Sequence, residues 1–258
     1  EGQFVTRMNF RLHPLTQVIG GRIDYKFEDA QTLSRVYQDV MSNAPNGLQA
    51  YFSFGIDPKG AKSASITLCD VRSHLEVEDI LGQFRTPCQP VWEHVGKIPY
   101  LQMQQHWDDS FPNGMLRYWK SSFLATISDD IMDVCHDMIS RQSLPNCHID
   151  IEPMGGVIAR IPPYATAFAD RDAASTASLL KAWRLNEEQA GLRGATELRA
   201  ASAAHGSDVM NRSGVVSHRL RSQKWVCARD AMRRGSASMS WFVGSSSSSI
   251  RSTQSQVD

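Results

Sequence analysis

Tyr118-Trp119-Lys120-Ser121-Ser122-Phe123 and Cys147-His148-Ile149-Asp150-Ile151-Glu152 are the segments on which the fold reading turns. Successive side chains of a strand point to opposite faces, so each segment divides cleanly in two. In the first, Tyr118, Lys120 and Ser122 share one face, and Trp119 and Phe123 share the other. In the second, Ile149 and Ile151 point inward while His148, Asp150 and Glu152 point away. Pro153-Met154-Gly155-Gly156 follows as a turn signal, and Val157-Ile158-Ala159-Arg160-Ile161 reads as a return strand. A sheet face bearing Tyr, Lys, His, Asp, Glu and Arg either meets water or lines a polar ligand site. Alternation alone leaves both open.

Working outward, Met8, Phe10 and Leu12 alternate with Arg7, Asn9 and Arg11, and after Pro14 the residues Ile23, Tyr25 and Phe27 alternate with Arg22, Asp24 and Lys26. These are two strands. Ala30, Leu33, Tyr37, Val40 and Met41 then fall at helical spacing, up to the stop at Asn43-Ala44-Pro45-Asn46-Gly47. Strands are expected over 48–56 and 64–68, and a short helix is marked by Val77, Ile80, Leu81 and Phe84. Residues 86–114, punctuated by Pro87, Pro90, Pro99 and Pro112, read as a long connection holding a short helix over 101–107. Connections of that length often border functional sites. Ser128-Asp129-Asp130 suits a helix start, and Ile131, Val134, Cys135, Met138 and Ile139 form its apolar stripe.

Strands joined by short turns with clean alternation predict an antiparallel sheet, and the apolar stripes predict helices on one side of it. The expected fold is therefore α+β: an antiparallel β-sheet with helices covering one face, over residues 1–183. Residues 184–258 read as a poorly ordered tail, basic over 212–234 and Ser-rich over 236–256, which cannot build a packed core. Residues 181–258 hold 12 Lys and Arg against 6 Asp and Glu, so the tail could attract phosphate, yet it lacks interleaved aromatics. The whole chain is neutral, which argues against a general nucleic-acid binder. There is no apolar run of about 18 residues, so no membrane span is expected. Glu1-Gly2-Gln3-Phe4 contains neither an initiator Met nor a signal peptide, as in a sequence that starts inside a longer protein, and compartment cannot be read from it.

Phosphate-loop, dinucleotide-fingerprint, zincin and nucleophile-elbow motifs are absent from the sequence. Five cysteines without regular spacing make no disulfide framework. Cys135-His136 and Cys147-His148 invite a zinc reading, but adjacent side chains diverge by about 100° on a helix and about 180° on a strand. Both cysteines fall on apolar faces, so they are expected to be buried thiols and no metal is expected. Asp150 and Glu152 share a strand face and could pair as acid and base.

Gly2-Gln3-Phe4-Val5-Thr6-Arg7-Met8-Asn9-Phe10-Arg11-Leu12-His13-Pro14 resembles a junction found in FAD-linked oxidases of the berberine-bridge-enzyme type, within the vanillyl-alcohol-oxidase-like flavin group. Three more segments follow in the family's order: Ile98-Pro99-Tyr100, Tyr118 through Leu124, and Glu152-Pro153-Met154-Gly155-Gly156 with Ala159-Arg160-Ile161-Pro162 and Ala165-Thr166-Ala167-Phe168 beyond it. Together they resemble the family's substrate domain over residues 2–175. The resemblance implies a sheet with helices on one face and, on the other, the flavin ring and a small-molecule substrate. It also implies that the flavin's phosphates belong to an N-terminal domain preceding Glu1, so the chain alone is expected to be inactive.

By the same resemblance Gly2, Gln3 and Phe4 match the stretch whose backbone approaches FAD, although Gln3 replaces the usual Asn. Arg160 falls where some plant relatives carry a Glu base, and Arg cannot accept a proton. Ala169-Asp170-Arg171 replaces the family's Pro-His-Arg. Glu152 and Lys120 are expected on the ligand face, with Tyr118 and Arg160 orienting substrate. The implied reaction is oxidation of an alcohol, amine or sugar-like carbon by hydride transfer to FAD, with O2 as acceptor. The alternative is an inactive relic or interaction module that retains the sheet.

Overall fold

The computed structural model describes residues 14–108, 115–166, 168, 170–187, 193, 194 and 196. All of them belong to one compact unit within residues 10–227. Seven strands form one sheet: β1 (Gln17–Lys26), β2 (Leu48–Ile56), β3 (Lys62–Asp70), β4 (Trp92–Pro99), β5 (Met115–Leu124), β6 (Cys147–Pro153) and β7 (Ser175–Arg184). Their order is β4-β1-β3-β2-β6-β7-β5, and every neighbouring pair is antiparallel. The helices are α1 (Ala30–Ser42), α2 (His74–Arg85), α3 (Tyr100–Gln104), α4 (Asp129–Arg141) and α5 (Val157–Arg160).

The apolar stripes do what their spacing predicts. α1 buries Ala30, Leu33, Tyr37 and Val40, α2 buries Val77, Ile80, Leu81 and Phe84, and α4 buries Ile131, Met132, Cys135, Met138 and Ile139. Against them stand Ile23 and Tyr25 of β1, Phe52 and Phe54 of β2, Ile66 and Leu68 of β3, and Ile149 and Ile151 of β6. Each large apolar side chain withdrawn from water here contributes about 1.5–3 kcal/mol. Ser73 opens α2 by donating its backbone N–H to Glu76 Oε2 at 3.1 Å. The short α3 lies across the opposite sheet face, where a Cβ on Gly20 would come within 2.7 Å of Met103 Sδ.

Three expectations need correction, each for a physical reason. No return strand follows Gly156: residues 157–160 form α5, with Val157 and Ile158 exposed. β6 already has β2 on one edge and β7 on the other, so a hairpin partner has nowhere to pair. Gly156, at φ 64°, turns the chain away. Next, β4 lies inside the Pro-punctuated connection; it is an edge strand with mixed faces and Pro99 at its end, which masks its alternation. Finally, β7 is absent from the sequence reading because nearly all of Ser175–Arg184 is buried on both faces, so its apolar pattern does not alternate. The strand expected over 5–12 and nearly all of the expected tail lie outside the described residues.

β2 and β6 pair from Phe52↔Ile151 to Ile56↔Cys147. Just past that ladder the buried Tyr37 hydroxyl is shared between Ala50 O at 3.0 Å and Ile151 O at 3.1 Å, joining α1 to both strands. Replacing Tyr37 with Phe leaves buried carbonyls without their donor and is expected to cost about 1–2 kcal/mol in urea unfolding. Phe54→Ala, which opens a core cavity, should cost about 3–5 kcal/mol. A Tyr37→Phe protein as stable as the parent would show that this hydroxyl carries no weight.

Candidate functional site

The face of the sheet opposite α1, α2 and α4 is polar, and strand register orders it into rows. One row crosses six strands through Asp24, Ser65, Ser53, Asp150, Ser178 and Ser121. Ser121 Oγ and Ser178 Oγ share a hydrogen bond at 2.9 Å. Beside it His94, Arg22, Thr67 and Tyr51 form a row across β4, β1, β3 and β2, while Glu152, Thr176 and Phe123 form one across β6, β7 and β5. Gly55, His148, Leu180 and Trp119 lie on the other side of the Asp150 row.

The charges of this face are restrained by burial. Glu152 is pushed up to about 7, first by withdrawal from water and then by the neighbouring Asp150 charge. Burial also raises the Asp150 carboxyl and lowers the His148 imidazole, so both favour their neutral forms more than they would in water. Tyr51 is held at about 12 by burial, with the Glu152 charge acting in the same direction. Arg22 Nε donates to Asp24 Oδ1 at 2.6 Å. The Thr67 hydroxyl is buried in the floor with no hydrogen-bond partner among the described residues.

Of the residues singled out in the sequence, Glu152 stands on this face as expected. Tyr118 and Lys120 do not. Tyr118 pairs with Lys181 and Lys120 with Leu179, positions that share the helix side of the sheet with Cys147 and Ile149. The alternation of β5 is right and its phase relative to β6 is reversed. β5 is an edge strand, so its helix side need not be apolar and its open side can carry Trp119 and Phe123; Trp119 is 49% exposed. Arg160 lies on α5 and not on a strand, exposed, with Nη1 donating to Asn46 Oδ1 at 3.1 Å. Gly2, Gln3 and Phe4 lie outside the described residues.

Cys135 and Cys147 are buried thiols pushed up to about 12 by burial, and His136 stacks on Phe27 at 4.5 Å and 9°. Among the described residues no group of three His, Cys, Asp or Glu could hold a metal ion. Sequence reasoning overlooked Tyr51, Thr67 and Ser178. Tyr51 and Thr67 alternate with core residues of β2 and β3, so the same period-2 rule could have found them once the sheet order was known.

No family model matches the chain. An FAD-linked oxidoreductase of Dictyostelium discoideum is 23% identical over 157 residues, which are 60% of this chain and 34% of that protein. Among solved structures, GilR, described as an oxidoreductase that catalyses the terminal step of gilvocarcin biosynthesis, superposes with a TM-score of 0.62 at 14% identity. The match covers 74% of this chain and 42% of GilR. 6-Hydroxy-D-nicotine oxidase from Arthrobacter nicotinovorans gives 0.59 at 16% identity over 74% and 43%, and berberine bridge enzyme gives 0.59 at 13% over 74% and 41%. The chain has the fold of the berberine-bridge-enzyme-like FAD-linked oxidases. It spans about a third of the length of the curated relative. The α+β layer expected from the sequence is thus a layer found in these oxidases. No helix among the described residues is long and apolar enough to cross a membrane.

The raised Glu152 pKa makes a testable link to stability. Its folded-state value lies above its ordinary 4.5, so the protonated acid favours the fold. That contribution is fully present below about pH 4.5 and is lost as pH rises through about 7. Relative to a Glu152→Gln variant, the parent should lose about 2–3 kcal/mol of urea-unfolding stability between those limits. Parallel pH profiles for the two proteins would contradict the burial assigned to this carboxyl.

Proposed function

We propose that the open face is one wall of the redox site of an FAD-dependent oxidoreductase that oxidises a small organic substrate at an alcohol, amine or sugar-like carbon. The observation that carries this reading is Glu152. It is a carboxyl poised near neutrality, on a floor of small hydroxyl-bearing residues, in the fold of FAD-linked oxidases. The floor suits a planar ring with hydrogen-bonding edges: Ser53, Ser65, Thr67 and Ser178 are small and buried, and the unpartnered Thr67 hydroxyl has a hydrogen bond to offer.

Bound FAD would supply an acceptor for the hydride leaving the substrate carbon, with O2 as the final acceptor in this reading. This chain's own side chains would do the rest. A Glu152 carboxylate oxygen takes the proton from the substrate O–H or N–H, and a group with a pKa near the working pH suits that task. Burial, and after it the Asp150 charge, sets the level at which Glu152 ionises. Tyr51, beside Glu152, and the Arg22–Asp24 pair offer hydrogen bonds that orient polar substituents.

One wall of the site should hold FAD weakly. Titrating the purified chain into FAD is expected to quench flavin fluorescence reversibly, with the colour lost on gel filtration. Thr67→Val should weaken the quenching about threefold, in line with one hydrogen bond. Unchanged fluorescence at every chain concentration would sink the proposal, and stoichiometric yellow colour surviving gel filtration would show that the chain is more than one wall.

A further inference from the structure

The turn between α1 and β2 carries a chemistry of its own, apart from the open face. In Pro45-Asn46-Gly47-Leu48 the Leu48 N–H donates to Pro45 O at 3.0 Å and closes the turn, while Gly47 O accepts from the Val71 N–H at 3.2 Å. Packing fixes the residue after Asn46. A Cβ on Gly47 would come within 2.9 Å of Arg72 Cγ and 3.2 Å of Asp70 Oδ1. Arg72 is held there by its 2.6 Å ion pair with the buried Asp70. Asn46 is therefore followed by glycine, the residue that shields its own backbone nitrogen least.

The pair is set up for reaction. Asn46 is exposed, so water and hydroxide reach it. The Gly47 N–H forms no hydrogen bond among the described residues and is free to lose its proton. Arg160 Nη1, from α5, donates to Asn46 Oδ1 at 3.1 Å. A guanidinium only donates, so the amide must present its oxygen to Arg160 and turn its NH2 elsewhere. This contact draws charge from the amide carbon and stands where a developing oxyanion would need it.

We propose that Asn46 is a site of spontaneous deamidation, with the Gly47 nitrogen as nucleophile and Arg160 holding the amide oxygen, and that the carboxylate formed ties α5 to the α1–β2 turn. Solvent base takes the Gly47 amide proton as the bond from Gly47 N to Asn46 Cγ forms. The Cγ–Nδ2 bond then breaks, and ammonia leaves with a proton from water. Water opens the cyclic succinimide at either carbonyl, giving aspartate or isoaspartate. One water is consumed and one ammonia released, with no oxidant and no change of oxidation state. Asparagine is among the thermolabile residues of proteins, and here both the nucleophile and the oxyanion donor are in place. The aspartate product offers Arg160 a charged acceptor in place of a neutral one, which makes the stronger hydrogen bond. An aged molecule then differs from a fresh one by a fixed charge between the start of β2 and the connection that leaves β6.

The test keeps the full chain for weeks at mildly alkaline pH in water labelled with heavy oxygen, and follows the peptides that hold Asn46 and Asn113 by mass. Asn113-Gly114 is the other Asn-Gly pair of the sequence and serves as the reference for conditions. Labelled aspartate and isoaspartate are expected in the Asn46 peptide. Arg160→Ala should slow conversion of Asn46 about fivefold, the order of one hydrogen bond, and leave Asn113 unchanged. In the urea-unfolded chain, where the contact is gone, parent and variant should convert Asn46 alike. Asn46→Asp should slow trypsin cleavage after Arg160 about twofold, as a surface ion pair would, and high salt should erase that difference. An Asn46 peptide that stays unlabelled, whether or not Asn113 converts, would overturn the site. Equal folded-state rates in the parent and Arg160→Ala would overturn the role of Arg160, and unchanged cleavage of Asn46→Asp would overturn the tie. Both substitutions alter exposed side chains, and thermal unfolding checks that each variant keeps its fold.

Discussion

Everything on the open face depends on β6 being held on both edges at fixed register. Phe52↔Ile151 on one side and Ile151↔Ala177 on the other place Ile149 and Ile151 against the helices. With period 2, that commits His148, Asp150 and Glu152 to the opposite surface. A slip of one residue would drive three ionisable groups into an apolar core and expose two isoleucines. The hydrophobic layer thus determines the polar one, and the positions of the carboxyls follow from packing they do not take part in.

That arrangement has an energetic cost of its own. Two carboxyls two residues apart, both withdrawn from water, repel each other and favour protonation, and this opposes folding at neutral pH. Groups on an ordinary solvated sheet face would not be shifted so. The flanking residues temper the cost: hydroxyls of Ser53, Ser178 and Ser121 line the Asp150 row, and the Arg22–Asp24 pair lies on the same face.

Much of this could be read from the amino acids, and the failures share one physical cause. The β6 alternation, the helix stripes and the placing of Glu152 all came from contrast between a wet face and a dry one. Where that contrast vanishes, reading fails. β7 is largely buried on both faces and mixes Ser178 and Lys181 with apolar residues, so it shows no period, and β4 is mixed on both, so it shows none either. At β5 the contrast survives but inverts, because an edge strand beyond the covering helices can turn Trp119 outward and Lys120 toward the helix side. Arg160 was misplaced for a topological reason: local pattern suggested a hairpin, and only the full strand order shows both edges of β6 taken.

The shared Tyr37 hydroxyl has a dynamic consequence. It reaches from α1 to the two carbonyls at the point where the β2–β6 ladder ends, next to Tyr51 and Glu152. Lifting α1 off the sheet therefore releases the strand ends beneath the carboxyl in the same event. Amide hydrogens of the helix and those around Ile151 would exchange with solvent as one cooperative unit, and a disturbance deep in the core would be felt as a change in ionisation on the far side of the sheet.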